Sequence, residues 1–161
     1  MKEIQYTPIG IIHSPFKHPF GTPIQPSAAK TITAEIEIFQ QYSKGLTDLE
    51  GFSHIIVLYH FHLAKQYSLQ VKPFLDDTVR GIFATRAVNR PNPIGLSIVK
   101  LLKVDKNILH IQHVDIIDKT PLLDIKPYVP VFDEATHTKT GWLEKNIDNL
   151  SQVTDDGRFS E

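Results

Sequence analysis

The chain of 161 residues contains no cysteine, which excludes disulfide bonds and cysteine-based metal sites or nucleophiles. It has no apolar run of membrane-spanning length, and its first residues, Met1 to Tyr6, have no apolar signal core. We therefore expect a cytoplasmic protein with no membrane association. The formal net charge is only −1, which argues against a broad, nonspecific nucleic-acid-binding surface but leaves room for a local basic patch.

Several motifs are also missing. The sequence has no G-x-G-x-x-G, no phosphate-binding G-x-x-x-x-G-K-[ST] and no G-x-S-x-G nucleophile elbow. Eight histidines are present, and His60 and His62 lie two apart in a strand-like run, so that with His54 or His113 they could bind a metal. No H-E-x-x-H or comparable ligand set accompanies them, and a strand histidine more often pairs with a backbone carbonyl or a ligand hydroxyl. We expect no metal site.

Strand signals dominate what is present. Residues 31–39 alternate, with Ile32, Ala34, Ile36 and Ile38 on one face and polar residues on the other. Further strands are predicted over 9–13, 54–62, 81–85, 94–104, 108–117, 123–125 and 128–132, with a turn at 105–107. Short helical segments are predicted over 39–49 and 140–150. Many strands with little helix between them favour an antiparallel barrel or sandwich, a mainly β fold.

The segment from Arg80 to Leu101 joins two of these strands through an unusual loop. Pro91 and Pro93 restrict the backbone, and Gly95 permits a conformation closed to other residues. The loop carries polar and cationic side chains that suit an anionic or planar ligand, although a tight turn with solvated arginines explains the pattern equally well. These side chains are Arg86, Asn89, Arg90 and Asn92.

A second polar cluster follows the strand at 108–117. Asp115 and Asp118 end that strand, and Asp124 and Lys126 share a face at period two. The cluster is either a turn with aspartate caps and a surface ion pair, or a set of carboxylates that faces a cation or a protonated amine.

Specific strings occur in order along most of the chain. Pro8-Ile-Gly-Ile-Ile-His-Ser-Pro-Phe16 and Pro23-Ile-Gln-Pro26 are followed by Leu49-Glu-Gly-Phe-Ser-His54 and Phe61-His62. Phe83-Ala-Thr-Arg86, Arg90-Pro-Asn-Pro-Ile-Gly95 and Asp124-Ile-Lys-Pro-Tyr128 come next. From about residue 4 to residue 132, the sequence resembles the TsaA-like, TrmO-type family of tRNA methyltransferases.

The resemblance implies a small antiparallel β-barrel with short peripheral helices, which binds S-adenosylmethionine and forms a homodimer. Members of the family methylate N6 of threonylcarbamoyladenosine at position 37, beside the anticodon of threonine tRNA. The resemblance also implies a barrel domain over 1–135, followed by a C-terminal helix and tail over 136–161 that pack on or beside it. Longer members carry a further C-terminal domain.

Residue roles carry over motif by motif. Cofactor contacts fall on Pro23, Ile24, Gln25, His62, Leu63, Arg86, Leu96, Asp115, Ile116, Ile117 and Asp118. Arg86 could pair with the cofactor carboxylate, and an aspartate could receive its ammonium group or ribose hydroxyls. The acceptor nitrogen must lose a proton, and Asp118 and Tyr128 are our candidates for the base. Contacts to tRNA phosphate or to the substrate carboxylate are expected from Arg90, Asn92, Lys119 and Lys126.

The sequence departs from the family pattern at Ile24, Leu63 and Lys119, where a basic residue, a polar residue and glycine are usual. We expect the apolar side chains at the first two positions to loosen polar contacts to the cofactor or tRNA. The chain ends soon after the barrel, which we expect to affect tRNA affinity and substrate identity more than cofactor binding. Two other functions therefore stay open: methyl transfer to another RNA or a small molecule, and a non-catalytic nucleotide-binding barrel.

Overall fold

The structure is a computed structural model that describes residues 3–24, 29, 31–145 and 153–159. Its centre is a closed antiparallel barrel with the strand order β1-β2-β7-β6-β3-β8, in which β8 pairs back onto β1. The barrel strands are β1 (Gly10–His13), β2 (Thr33–Ile38), β3 (His54–His60), β6 (Ile94–Asp105), β7 (Ile108–Gln112) and β8 (Thr120–Pro127). The hairpin β4 (Gln70–Val71) and β5 (Arg80–Gly81) lies outside it. The predicted mainly β fold is confirmed.

Period-two alternation places one face of each strand in the barrel core. Ala34, Ile36 and Ile38 of β2 are buried while Thr33 and Glu35 are exposed, as the sequence predicts. In β3 and β6, Ile55, Val57 and Val99 are fully buried. Because the interior is filled by branched aliphatic side chains, the centre of the barrel is packed, and a ligand must bind where loops leave the strands.

Three strand predictions are wrong at their boundaries. Residues 81–85 form only the end of β5, because the chain turns into a 3₁₀ segment at Ile82–Ala84. The predicted strand 108–117 ends at Gln112, since His113 adopts a positive φ of 68° that takes the chain out of the sheet. The prediction over 128–132 also fails, because the segment Pro130–Asp133 is a single α-helical turn, α1, with proline at its first position.

The short helical predictions fare better. A 3₁₀ segment covers Gln40–Leu46 within the predicted 39–49, and another covers Gly141–Lys145 at the start of the predicted 140–150. Residues 146–150 lie outside the described part of the chain. Within the described ranges, no helix has the length and apolar character needed to cross a membrane.

Candidate active site

A cleft of about 1010 Å³ opens where β3 and β6 meet the loops of the barrel end. Its size suits a ligand of cofactor dimensions, and its wall is mostly apolar with a few polar groups, as is typical of small-molecule sites. The cleft gathers residues that are far apart in sequence. Of the predicted cofactor contacts, it is lined by Pro23, Ile24, His62, Leu63, Arg86, Leu96, Asp115, Ile116 and Ile117. Gln25 lies outside the described residues.

The polar floor of this cleft is a chain of three hydrogen-bonded side chains. The Ser97 hydroxyl donates to Asp115 Oδ1 at 2.9 Å, and Tyr59 Oη lies 3.1 Å from Ser97 Oγ. Because the single Ser97 proton is used on Asp115, the Tyr59 hydroxyl is the donor in the other bond. Burial, with a further contribution from Asp115, raises the pKa of Tyr59 and keeps it protonated.

Asp115 is a carboxylate held in an unfavourable environment. Burial raises its pKa to about 6, and the Ser97 hydrogen bond and the charge of Arg86 only partly oppose this effect. Asp115 is therefore mostly ionised at neutral pH, but its neighbours only partly offset the cost of burying its negative charge. Part-buried carboxylates of this kind, in a cleft beside a guanidinium, are characteristic of ligand sites.

Gly95 matters here for a different reason from the one expected. It has no positive φ. Instead, a Cβ on Gly95 would collide with the ring of Tyr59, its direct partner across the β3–β6 pair. Glycine is thus required because the aromatic ring of the cleft floor lies flat against the opposite backbone.

The spacing of His60 and His62 suggests that they share one face of a strand. They do not, because β3 ends at His60. Phe61 donates its backbone N–H to Pro93 O and guides the chain out of the strand, which brings His62 into the cleft lining. His62 Nδ1 lies 3.3 Å from Thr120 Oγ1. No group of three or more metal-ligating side chains forms within the described residues.

A C-terminal strap, residues 153–159, lies within the predicted tail and contributes to the cleft, a role that the sequence did not predict. The backbone of Asp155 makes two hydrogen bonds to the loop before Ile24. Its N–H donates to Thr22 O, and its carbonyl oxygen accepts from the Gly21 N–H. Arg158 donates to Pro73 O at 2.9 Å and stacks on Phe74 at 4.9 Å. The strap adds Asp155 and Phe159 to the lining, and the 3₁₀ segment Gly141–Lys145 adds Trp142 and Leu143. Because these hydrogen bonds join backbone atoms, they do not require particular side chains and cannot be predicted from the sequence pattern.

Neither of the two predicted bases lines the cleft. Asp118 accepts from Lys17 Nζ at 2.6 Å and from the Ser14 N–H at 3.0 Å, which holds the pKa of that carboxyl below its usual range. Tyr128 donates to Glu134 at 3.2 Å and packs against His54 at the opposite end of β3. The five residue steps from His54 to Tyr59, which lines the cleft, correspond to roughly 17 Å along β3.

The predicted substrate contacts are dispersed. Arg90 lines the cleft, where its Nη1 donates to Thr85 O at 2.9 Å and so holds the loop together. Lys126 is paired with Asp124 at 2.7 Å on the outside of β8. Asn92 and Lys119 are exposed and do not line the cleft. Lys119 has a φ of 62°, a left-handed conformation for which the glycine usual in the family is well suited.

Comparison with known proteins now decides the family. The model of the tRNA-methyltransferase O N-terminal domain matches residues 11–134, which is most of the chain. The chain belongs to the TrmO family. The crystal structure of TrmO from Pseudomonas aeruginosa superposes with a TM-score of 0.74 at 35% identity, covering 88% of this chain and 63% of that one.

Two curated relatives of this TrmO-family chain differ in what their names state. A probable S-adenosyl-L-methionine-binding protein of Pyrococcus abyssi is 58% identical over 156 residues, covering 97% of this chain and 85% of the relative. A tRNA (adenine(37)-N6)-methyltransferase of Escherichia coli is 39% identical, covering 89% of this chain but only 66% of the relative. The cleft lining contributed by the strap lies beyond the segment that the family model matches.

Proposed function

We propose that this protein is an S-adenosylmethionine-dependent methyltransferase that modifies N6 of an adenine in tRNA. The observation that carries the proposal is that Arg86 and the part-buried carboxylate of Asp115 line the same apolar cleft, where the charge of Arg86 acts on the pKa of Asp115. S-adenosylmethionine ends in an amino acid that carries one carboxylate and one ammonium group. A guanidinium and a carboxylate in one cleft complement that zwitterion in both signs.

The rest of the lining suits the remainder of the cofactor. Ile24, Leu63 and Leu96 offer apolar surface for the adenine, and Leu63 and Leu96 are about half exposed, so they have area left to bury. Burial of such surface contributes about 25 cal/mol per Å². The cofactor supplies an activated methyl group on a positively charged sulfur. The protein contributes position, because displacement at that methyl requires the attacking atom in line with the bond that breaks.

We further propose the substrate of the family, threonylcarbamoyladenosine at position 37 in the anticodon loop of threonine tRNA. Arg90 in the cleft, with Asn92, Lys119 and Lys126 on exposed surfaces, would contact phosphate or the substrate carboxylate. The net charge of −1 implies that such contacts are few and local. A tRNA substrate is consistent with a cytoplasmic location.

A homodimer is also proposed, through the outer face of β3 and β6. Leu96 and Ile98 are 48% and 39% exposed on that face, although they lie in the middle of the sheet. They stand directly opposite Leu58 and Ile56, which makes the apolar patch contiguous. Contiguous apolar surface of this kind marks interaction sites, and a second copy would cover it beside the cleft that Leu96 also lines.

The proposed function is tested by methyl transfer to tRNA. Threonine tRNA that carries threonylcarbamoyladenosine is incubated with the protein and labelled S-adenosylmethionine, and its nucleosides are analysed by mass spectrometry. We expect one added methyl on the modified adenosine and none on tRNA that lacks the threonylcarbamoyl group. Cofactor binding without transfer to any tRNA would leave the non-catalytic barrel or another acceptor as the correct function.

A further inference from the structure

The reaction proposed above needs a proton acceptor, and neither Asp118 nor Tyr128 lines the cleft. The side chains of the described residues that do line it and can accept a proton are Asp115, Asp155 and His62. Asp115 is engaged by Ser97 and stands beside Arg86. Asp155 accepts the Gly157 N–H at 2.7 Å within the strap.

The hydrogen bonds around His62 determine which of its ring nitrogens carries the proton. The Thr120 hydroxyl has a single proton, and this proton is donated to Ile117 O at 2.7 Å. The Thr120 oxygen can therefore only accept from His62 Nδ1, 3.3 Å away. The network thus assigns the Nδ1–H tautomer and leaves a lone pair on Nε2.

The environment of His62 also keeps the ring uncharged. Burial lowers its pKa below the usual value, and the neighbouring His60 adds to this effect. Asp118 is the charged group that opposes it. A neutral imidazole with a defined tautomer in a ligand cleft has the properties required of a general base at neutral pH.

We propose that His62 is the general base of this protein, with Thr120 as the residue that positions its ring. The proposal rests on the methyltransferase function proposed above. As the acceptor nitrogen forms its bond to the methyl carbon, the bond from that carbon to sulfur breaks and its electron pair stays on sulfur. The N–H bond of the acceptor breaks in the same sequence, and its proton passes to Nε2. The resulting imidazolium returns the proton to water.

The first test needs no turnover. Nitrogen-15 NMR of the free protein, with the His62 signals assigned through the His62→Asn variant, reports the tautomer and the pKa of the ring. We expect the Nδ1–H form and a pKa below 6.5, whereas Thr120→Val should let the Nε2–H form appear. A predominant Nε2–H tautomer in the wild-type protein would overturn the proposal.

The second test separates catalysis from binding. The side-chain amide of His62→Asn can replace the Nδ1–H donor to Thr120 but supplies no Nε2, so kcat at saturating cofactor should fall about 10²–10⁴-fold. His62 is also one of the predicted cofactor contacts, but its neutral ring offers no ionic partner to the amino-acid end, so the affinity for S-adenosylmethionine should change less than about threefold. His110→Asn removes a histidine of β7 that does not line the cleft and should leave kcat within about twofold.

The wild-type kcat should rise with pH through the pKa of His62, and this acidic limb should be absent in His62→Asn. Added imidazole should restore part of the rate of His62→Ala. A His62→Asn variant that keeps its kcat, or loses only cofactor affinity, would overturn the base assignment. If the wild-type protein binds the cofactor but methylates no tRNA, the proposed function fails instead, whereas the NMR result still stands.

Discussion

Asp115 and Asp118 are three residues apart in the same connection between β7 and β8, yet they lie in two contrasting regions. Asp115 belongs to the cleft, where burial raises its pKa to about 6. Asp118 belongs to a groove beside β1, where Lys17 and the Ser14 N–H lower its pKa. Asp118 accepts from a backbone N–H and a lysine, whereas Asp115 accepts from the Ser97 hydroxyl in the wall of the cleft. The different partners are the reason why we propose a ligand-binding role for Asp115 and a structural role for Asp118.

The largest effect is expected from removing the charge of the cleft carboxylate. Asp115→Asn should weaken S-adenosylmethionine binding by about 2 kcal/mol, roughly 30-fold, because the ammonium loses its ionic partner. Titration calorimetry measures this change. 5′-Methylthioadenosine, which lacks the amino-acid end, is the matched control ligand and should bind both proteins alike. Equal weakening of the two ligands would show that Asp115 does not face the ammonium group.

The pH dependence of the two regions should have opposite signs. Since the pKa of Asp115 is raised in the folded state to about 6, its protonation below that pH should weaken cofactor binding while it stabilises the free protein. The lowered pKa of Asp118 contributes stability that is present above its unfolded value near 4 and is lost as the pH falls further. Calorimetric titrations and thermal unfolding between pH 4 and 8 would measure both trends. Cofactor affinity that stays constant down to pH 5 would contradict the assignment of Asp115.

A smaller effect, of a different kind, is expected in the groove. Asp118→Ala removes the acceptor for Ser14 and Lys17 and should lower the free energy of unfolding by about 1–2 kcal/mol. Cofactor affinity should stay within about twofold, because Asp118 does not line the cleft. Denaturant unfolding measures the change in stability, and titration calorimetry on the same sample measures the change in cofactor affinity. Loss of affinity at unchanged stability would move Asp118 into the cofactor site.

The smallest effect is expected at Tyr128, at the far end of β3. Tyr128→Phe removes only the hydroxyl that donates to the exposed Glu134, so the rate of methyl transfer should change less than about twofold. A much larger loss of kcat would instead support the catalytic role predicted from the resemblance. In a homodimer, such a result would indicate that the tyrosine reaches the site of the partner.

The barrel could be predicted from the sequence because its signal is local. The alternation of polar and apolar residues over Thr33–Ile38 can be recognised from these neighbouring residues alone. The structure confirms that the apolar face is buried. The strand predicted over 108–117 was too long because three of the five residues after Gln112 are apolar, namely Val114, Ile116 and Ile117. The chain turns at the positive φ of His113, and Val114 and Ile116 are buried in a loop rather than in a strand.

The site could be predicted only where motifs indicated it. Arg86 and Asp115 were singled out in two polar clusters of the sequence and given a cofactor role by the resemblance, and the structure brings them into one cleft. What distinguishes Asp115 from Asp118 is a bond to Ser97, 18 residues away, and one to Ser14, 104 residues away. Such long-range partners have no local pattern. The same holds for the strap, whose backbone pairs with Gly21 and Thr22.

The central claim is that Arg86 and Asp115 hold the amino-acid end of S-adenosylmethionine in this cleft. Titration calorimetry of the wild-type protein and Arg86→Ala at pH 7.5 tests it most directly. We predict one cofactor bound per chain in the wild type, and a loss of affinity of about 100-fold or more in the variant. No binding to the wild-type protein, or equal affinity in both proteins, would contradict the claim.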